Sequence, residues 1–262
     1  MSEESVVIRK CATLDEMRTC VALQQEVWKF SDRDLIPLRI FVIAEKIGGQ
    51  AIGAFQGNNL IGFALAIPGA RGGQSYLHSQ MLAVREDFRN AGLGRRLKLF
   101  QREEAISRGF DLMEWTFDPL EIKNSYLNIE RLGAIVRRYN LDQYGVTSSS
   151  LQGGLPTDRL VAEWWLKSDR VAQLLESGQL SPAQVETTIS VPAEIYKWKA
   201  SAETGERALA IQGKNRELFL SAFARGLAVV RYERDAEGNG RFLLGPWKRV
   251  SVGKRPKVVI QS

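Results

Sequence analysis

Residues 76–109 carry the most informative pattern in the chain, YLHSQMLAVREDFRNAGLGRRLKLFQREEAISRG. The pattern predicts a strand over residues 76–84, a polar turn, and a helix over residues 92–109. The first backbone N–H groups of a helix have no partner within the helix, and glycines let a bulky anion approach them closely. Residues 89–95 therefore predict a cradle for a pyrophosphate, assisted by the side chains of Arg89, Arg95 and Arg96.

Two common phosphate-binding motifs do not fit this segment. The Walker pattern requires Gly-Lys-Ser/Thr after the glycines, and the chain has Gly94 followed by Arg95. The dinucleotide fingerprint G-x-G-x-x-G requires a third glycine where Leu97 stands. The pattern that remains is R-x-x-G-x-G, from Arg89 to Gly94, directly after a strand that ends in Leu-Ala-Val.

The elements around this segment alternate between strands and helices, which predicts an α/β (α+β) sandwich. Before it we expect a strand, a helix capped by Thr13 with Glu16 in a capping box, a second helix after Pro37, two strands joined by a hairpin, and a loop over residues 68–74. After it we expect a strand, a short helix over residues 121–132 and two further strands. The pattern restarts with a long helix over residues 202–226 and short strands. We divide the chain into a core, residues 1–167, and a C-terminal helix-plus-strands extension, residues 168–262.

Together, the motif and the order of elements resemble motif A and the fold of the GCN5-related N-acetyltransferase (GNAT) superfamily over roughly residues 5–166. The segments HSQMLAV, WTFDPL, NSYLNIERLGA and TDRLVAEWW resemble a bacterial branch of predicted acetyltransferases with a C-terminal extension. The resemblance implies a central mixed sheet flanked by helices. It also implies acetyl-coenzyme A or another acyl-coenzyme A as the acyl donor substrate.

The resemblance also implies which residues hold the coenzyme. The backbone of the strand would pair with the pantetheine arm, and the cradle would hold the pyrophosphate; the short helix would add one side chain. These residues are Leu82, Ala83 and Val84 on the strand, Arg89, Asn90, Ala91, Gly92, Leu93, Gly94 and Arg95 in the cradle, and Asn124. Ile129 stands where many members have the tyrosine that protonates the departing thiolate, so the general acid stays unassigned.

A catalytic base is expected near the thioester. Alternate residues of a strand share a face, which predicts that His78, Gln80, Leu82 and Val84 point the same way. An amine acceptor must lose a proton before it attacks, and a histidine titrates in the range that suits this task. His78 is therefore the first candidate base. Glu114 or Asp118 through a water chain is the second, and a buried structural histidine is the alternative reading.

The remaining candidates are polar groups on the strand and short helix that follow the cradle helix. Asp118 suits a cationic substrate, a proton relay or the cap of the next helix. Asn128 and Tyr144 are candidate substrate-binding residues, and Tyr126 is a candidate proton donor to the thiolate. Packing in the core is the alternative for each tyrosine.

The composition limits the other possibilities. The 262 residues are 44% hydrophobic and 25% charged, and a net charge of +6 arises from residues 241–262, which hold six basic and no acidic residues. One histidine and two isolated cysteines, Cys11 and Cys20, predict no metal site and a reduced, cytoplasmic protein. No apolar stretch is long enough to cross a bilayer, so we expect no membrane partner. No nucleic-acid motif accompanies the basic tail, so we expect no nucleic-acid partner either.

We therefore predict an enzyme that transfers an acetyl or other acyl group to an amine of a small molecule or peptide. The amine would attack the thioester directly in a ternary complex, since no nucleophile for a covalent intermediate is apparent. A non-catalytic acyl-coenzyme A binder or sensor is the alternative, and a nucleic-acid-associated protein is a third possibility. The amphipathic helix of the extension suits packing on the core, completion of the acceptor pocket or a homodimer contact.

Overall fold

Ten strands form one continuous sheet in the computed structural model, which describes residues 5–149, 152–201 and 203–248. The spatial order is β1-β2-β3-β4-β5-β7-β6-β9-β10-β8, and only β4 and β5 run parallel among the described pairs. The strands are β1 Val6–Lys10, β2 Gln50–Gln56, β3 Asn59–Arg71, β4 Gln74–Val84, β5 Leu112–Phe117, β6 Ile135–Asn140, β7 Arg159–Trp165, β8 Thr187–Val191, β9 Leu227–Arg234 and β10 Gly240–Pro246.

The helices lie on both faces of this sheet. They are α1 Leu14–Trp28, α2 Leu38–Lys46, α3 Leu93–Ser107, α4 Ile122–Tyr126, α5 Asp169–Ser177, α6 Ile195–Lys199 and α7 Gly205–Ala224. Helix α4 continues into a π-helical turn, Leu127–Arg131. The predicted capping box at the start of α1 is confirmed, because Thr13 accepts from the Glu16 N–H and the Glu16 carboxylate accepts from the Thr13 N–H.

Helices α1 and α2 cover one face of the N-terminal half of the sheet, and α3 covers the other. Phe41 of α2 packs with Phe63 of β3 on the first face. Leu93 and Leu97 of α3 pack with Ile61 of β3 on the second face. Strands β2 and β3 are buried on both sides, which explains their nearly continuous apolar sequence. We call these the α1 face and the α3 face of the sheet.

The C-terminal extension continues the same sheet. Val136 of β6 lies opposite Val229 of β9, and β10 and β8 follow outward. Phe219 of α7 shares one core cluster with Trp115 and Trp164 of the central strands. The division at residues 167 and 168 stays a prediction, but residues on its two sides share strand pairing and core packing.

The predicted loop over residues 68–74 is wrong for most of its length. Strands β3 and β4 continue through it, and only Gly72 and Gly73 remain in the turn. Their φ angles are +56° and +75°. A two-residue hairpin turn with positive φ at both positions matches the twist of the flanking strands, and glycine adopts it without steric cost. The three glycines among residues 68–74 favoured a loop, whereas two of them form a tight turn.

The basic segment identified in the sequence falls mostly outside the described residues, which end at Lys248. The expectation of no nucleic-acid partner therefore stays a prediction. Among the described helices, none is long and apolar enough to span a bilayer.

Candidate active site

The parallel strands β4 and β5 separate soon after they meet. Their pairing consists of Leu77 opposite Met113 and His78 opposite Glu114. Beyond these pairs lies a cavity of about 570 Å³, which we call the cleft. Its lining residues are Trp28, Phe30, Asp34, Ile36, Ser79, Gln80, Met81, Leu82, Lys98, Trp115, Thr116, Phe117, Asp118, Glu121, Asn124, Asn128, Tyr144, Val146, Thr147, Ser149, Gln152, Thr157 and Arg159.

A β-bulge in β4 changes which side chains face the cleft. Leu65 of β3 lies opposite Met81, but Ala66 lies opposite Ser79, so Gln80 is an extra residue without a register partner. The predicted common face of His78 and Leu82 is therefore wrong. The bulge shifts the alternation by one residue, so Leu82 points to the α3 face and His78 to the α1 face. Simple alternation cannot reveal a bulge, because one inserted residue leaves no mark in the apolar pattern.

The cradle segment has the backbone geometry that an anion site needs. Gly92 precedes α3 with φ +78°, no side chain caps the helix, and Asn90 has φ +64°. A Cβ at Gly92 would meet nothing within 4 Å, and one at Gly94 would only touch Leu82 Cδ2 at 3.8 Å and Val84 Cγ2 at 4.0 Å. The first turn of α3 is thus open on the side of β4. Unpaired N–H groups and the positive end of the helix dipole favour an anion here.

The other cradle residues differ in exposure and in partners. Arg89, Asn90 and Ala91 are exposed, while the Leu93 side chain is buried in the core. Arg89 Nε donates to the Val84 carbonyl at 3.1 Å, and Arg95 Nε donates to the Arg131 carbonyl at 3.1 Å. Because its side chain is buried, Leu93 can offer only its backbone to a ligand. Leu82 lines the cleft, whereas the Ala83 side chain is buried on the α1 face.

A buried lysine lies one turn further along α3, and no motif in the sequence predicted it. Lys98 is 2% exposed, its Nζ donates to Ser79 Oγ at 2.6 Å, and it lies 3.8 Å from the centre of the Trp115 ring. Burial lowers the pKa of Lys98 to about 7. A signal was present, since Lys98 falls on the helical stripe of Gly94, Leu97, Gln101 and Ala105 that faces the sheet.

The extension contributes a second buried lysine, which contacts two carboxylates that line the cleft. Lys199 Nζ of α6 donates to Asp118 Oδ2 at 2.8 Å and to Glu121 Oε1 at 2.9 Å. Asp118 Oδ1 also accepts from the Leu120 N–H at 2.8 Å. Burial acts to lower the pKa of Lys199, but the two carboxylates outweigh it and raise the pKa above the ordinary lysine value. Asp118 lines the cleft, and its charge is already paired with that of Lys199.

The short helix brings two of the predicted residues into the cleft. Asn124 and Asn128 both line it, and the buried Nδ2 of Asn128 has no hydrogen-bond partner. Tyr126 is not among the lining residues and packs against the main core instead. Ile129 is also fully buried in that core and is not among the residues that line the cleft.

The α1-face wall of the cleft is built from two distant loops. Asp34 accepts hydrogen bonds from the Ser148 N–H at 2.7 Å and from Ser148 Oγ at 2.5 Å, which ties the loop after α1 to the loop after β6. These bonds lower the pKa of Asp34. The Tyr144 hydroxyl lies 2.9 Å from Thr116 Oγ1. The apolar part of this wall includes the stacked rings of Trp28 and Phe30, with centroids 5.6 Å apart.

The structure places the two remaining candidates, His78 and Glu114, on the α1 face, outside the cleft lining. Glu114 accepts from Arg71 and from Arg138, each at 2.5 Å. Burial acts to raise the pKa of Glu114, but the two guanidinium groups hold it below the ordinary value. Burial lowers the pKa of His78 below 6.5, and the nearby Lys98 charge lowers it further. Glu114 is thus a paired carboxylate, and His78 favours the neutral form.

The cradle residues and the residues that line the cleft point to one class of protein. A sheet whose parallel central strands part beside a glycine-rich helix start is the arrangement that the GNAT resemblance predicts. Residues 15–123 match the acetyltransferase (GNAT) family. This segment of the chain, which includes the cradle and strands β2 to β5, is therefore similar to GNAT acetyltransferases.

Solved structures agree with this fold. A GNAT-family structure from Desulfovibrio desulfuricans has a TM-score of 0.50 at 13% identity, covering 62% of this chain and 99% of that one. An acetyltransferase-type protein from Salmonella typhimurium, solved with its cofactor acetyl-CoA, has a TM-score of 0.50 at 17% identity, covering 63% and 95%. The ribosomal-protein-S18-alanine N-acetyltransferase from Escherichia coli has a TM-score of 0.49 at 15% identity, covering 63% and 96%. At these identities the two structures with a TM-score of 0.50 support the fold alone.

No curated protein matches the sequence. Within the described ranges, no group of three or more His, Cys, Asp or Glu side chains is placed to hold a metal ion. Cys11 and Cys20 are both buried, and their sulfur atoms lie 3.9 Å apart near the start of α1.

Proposed function

We propose that the protein transfers an acyl group from acetyl-coenzyme A, or another acyl-coenzyme A, to an amine of a small molecule or peptide. The observation that carries the proposal is the cleft itself. Its lining includes Lys98 and Leu82 from the α3 face, next to the cradle, and Trp28, Asp34 and Tyr144 from the α1 face. A coenzyme on one face and an acceptor on the other would meet between the two strands.

The residues fit an acyl-coenzyme A on the α3 face. The open first turn of α3 suits the pyrophosphate, since Gly92 and Gly94 leave space above the backbone. The edge of β4 from Leu82 to Val84 is free of β5 and can pair with the pantetheine arm. Asn124 lines the cleft and could contact the coenzyme there. The coenzyme would supply the acyl group as an activated thioester.

The chain's own residues would position and activate the amine. Gln80, the bulged residue, has no register partner on β3, and its N–H is our candidate donor to the oxyanion of the attack. His78 shares the α1 face with Met81 and Thr116, both of which line the cleft. Because its pKa is lowered, His78 would be neutral near pH 7 and could accept the amine's proton through water.

A non-catalytic acyl-coenzyme A binder is the second candidate. One observation favours it, because Ile129 is buried in the core and Tyr126 lies outside the cleft lining. Tyr144 is the tyrosine that lines the cleft, and it would have to serve as proton donor if a phenol is needed. A panel of small amines and peptides offered with acetyl-coenzyme A separates the candidates, since a binder forms no amide product.

The cradle is tested by filling the space over the first turn of α3. Gly94→Leu places a side chain where the pyrophosphate would approach, and Gly94 needs no positive φ, so the fold tolerates the change. We expect calorimetry to show coenzyme A binding weakened by about 100-fold, which corresponds to the loss of one or two charge-assisted hydrogen bonds. Gly213→Leu on α7, where a Cβ would meet nothing within 4 Å, is the matched control. Equal coenzyme affinity in both variants would contradict the cradle.

A further inference from the structure

Lys98 is a buried amine without a counterion. Within the part of the chain that the structure describes, no carboxylate lies within 4.0 Å of its Nζ, whereas Lys199 holds two. An ammonium group has three N–H donors, and Ser79 Oγ accepts one of them at 2.6 Å. The Trp115 ring face, 3.8 Å from Nζ, gives partial compensation through a cation–π contact. Burying an unpaired charge is costly, so the free lysine loses its proton readily, and a ligand carboxylate beside Nζ would stabilise the charged form.

Other nitrogen donors near Lys98 also lack partners. Asn128 is 1% exposed, lines the cleft, and has a buried Nδ2 with no acceptor. Gln101 is fully buried; its Oε1 accepts from Ser79 Oγ at 3.0 Å, while its Nε2 has no partner. Buried polar groups are rarely left unsatisfied without a functional reason. Lys98 and Asn128 both line the cleft, so a ligand group with acceptor oxygens there could bond both.

The position of Lys98 indicates which part of a coenzyme thioester would reach it. Four residues separate Gly94 in the cradle from Lys98, which is about 6 Å along the axis of α3. Ser79, the partner of Lys98, lies three residues before Leu82 on β4, towards the end where β4 and β5 join. A pantetheine arm that leaves the cradle along β4 therefore points its thioester and acyl chain towards Lys98.

We propose that Lys98 binds a carboxylate at the far end of the acyl chain, so that the donor is the coenzyme A half-thioester of a dicarboxylic acid. The inference rests on the proposed function and names the donor class for the same site. Asp118 and Glu121 are held by Lys199 and leave Lys98 free for the ligand. The charge of Lys98 lowers the pKa of His78, but the His78 side chain points to the opposite face of the sheet.

The protonation of Lys98 provides a readout that does not depend on turnover. Burial lowers its pKa to about 7, so at pH 8 the free lysine is mostly neutral. A bound carboxylate favours the charged form and raises the pKa again. Binding at pH 8 should therefore take up about one proton per site. Calorimetry in two buffers of different ionisation enthalpy measures this uptake directly.

The experiment compares succinyl-coenzyme A with butyryl-coenzyme A, which has the same four carbons without the charge, and with free coenzyme A. We expect the parent protein to bind the succinyl thioester about 10- to 100-fold more tightly than the butyryl one, the range for a charged hydrogen bond. Proton uptake should accompany the succinyl thioester alone. Lys98→Met should remove the preference and the uptake while free coenzyme A binds as before. Lys123→Met, at an exposed position on α4, is the matched control.

Several outcomes would overturn the inference. Equal affinity for the two thioesters in the parent would do so, as would a preference that survives in Lys98→Met. So would a Lys98→Met variant that keeps both affinities but loses turnover with both donors, because Lys98 would then act on the leaving thiolate. Lys98→Gln offers a second, polar replacement if Lys98→Met does not fold. Failure of free coenzyme A to bind the parent would instead contradict the proposed function.

Discussion

The cradle and the α1-face wall of the cleft are built in different ways. The cradle is local, because residues 89–95 and the end of β4 form it within about fifteen consecutive residues. The α1-face wall combines the loop after α1 with the loop after β6, held together by Asp34 and Ser148 across more than a hundred residues of sequence. The cradle depends on backbone N–H groups, whereas this wall depends on side chains brought together by tertiary contacts.

The difference suggests a division of roles. A site made of backbone and glycine accepts one invariant ligand part, a pyrophosphate, with little dependence on neighbouring side chains. A wall of side chains from separate loops can change its shape without disturbing that site. We therefore expect substitutions in the wall to affect the acceptor and substitutions in the cradle to affect the coenzyme.

The largest expected effect comes from His78→Gln, which removes the proposed base and leaves both regions otherwise intact. Turnover should fall by about 10²- to 10⁴-fold, the usual contribution of a proton-transfer group. The parent's activity should rise with pH through the His78 pKa and level off above it, because the neutral imidazole is the base. That rise should lie below pH 6.5, since burial lowers the pKa. The pH dependence of turnover, recorded for the parent and the variant, measures the fall in turnover and the position of the rise.

Coenzyme A affinity is the control for His78→Gln, and it should not change, because the cradle is on the opposite face of the sheet. A variant that keeps the parent's turnover and pH profile would make the histidine structural. A pH profile that is shifted but not abolished would instead point to Asp118, one of the carboxylates that line the cleft.

A smaller effect is expected from Lys199→Met, which leaves Asp118 buried without its partner. The free energy of unfolding should fall by about 3 kcal/mol, as for a buried ion pair that loses one member. The folded-state pKa of Lys199 is raised, so its contribution is present at neutral pH and is lost as pH rises through that pKa. Chemical denaturation at pH 7 measures the loss of stability, and chemical denaturation above pH 10.5 measures how much of the Lys199 contribution disappears at high pH. The exposed Lys197→Met is the control, and an equal loss in both variants would contradict this role.

The smallest expected effect comes from Asp34→Ala, which unties the two loops of the α1-face wall. The KM for the acceptor should rise by about 5- to 30-fold, the cost of two hydrogen bonds, while coenzyme affinity stays unchanged. Steady-state kinetics and calorimetry measure the two quantities separately. Asp32→Ala is the control, because Asp32 bonds Gln25 rather than the second loop. A matching loss of coenzyme affinity in Asp34→Ala would show that the two regions are coupled.

Local features were predicted well where one segment contains all the determinants. The cap of α1 at Thr13, the strand β4 and the helix α3 follow from periodicity and from short-range hydrogen bonding. The roles of individual site residues stay predictions, although the structure places Asn124, Asn128, Asp118 and Tyr144 in one cleft.

Residues 76–109 were sufficient to predict an open helix start after a strand, because glycine and the helix terminus impose that geometry without help from the rest of the chain. The face of the sheet to which His78 points was not predictable, because the bulge at Gln80 depends on how β3 pairs with β4. The charge state of Lys98 and the pairing of Asp118 with Lys199 depend on burial and on a helix eighty residues away. Burial and long-range ion pairing are properties of the packed molecule, so they became visible only when the strands and helices were assembled.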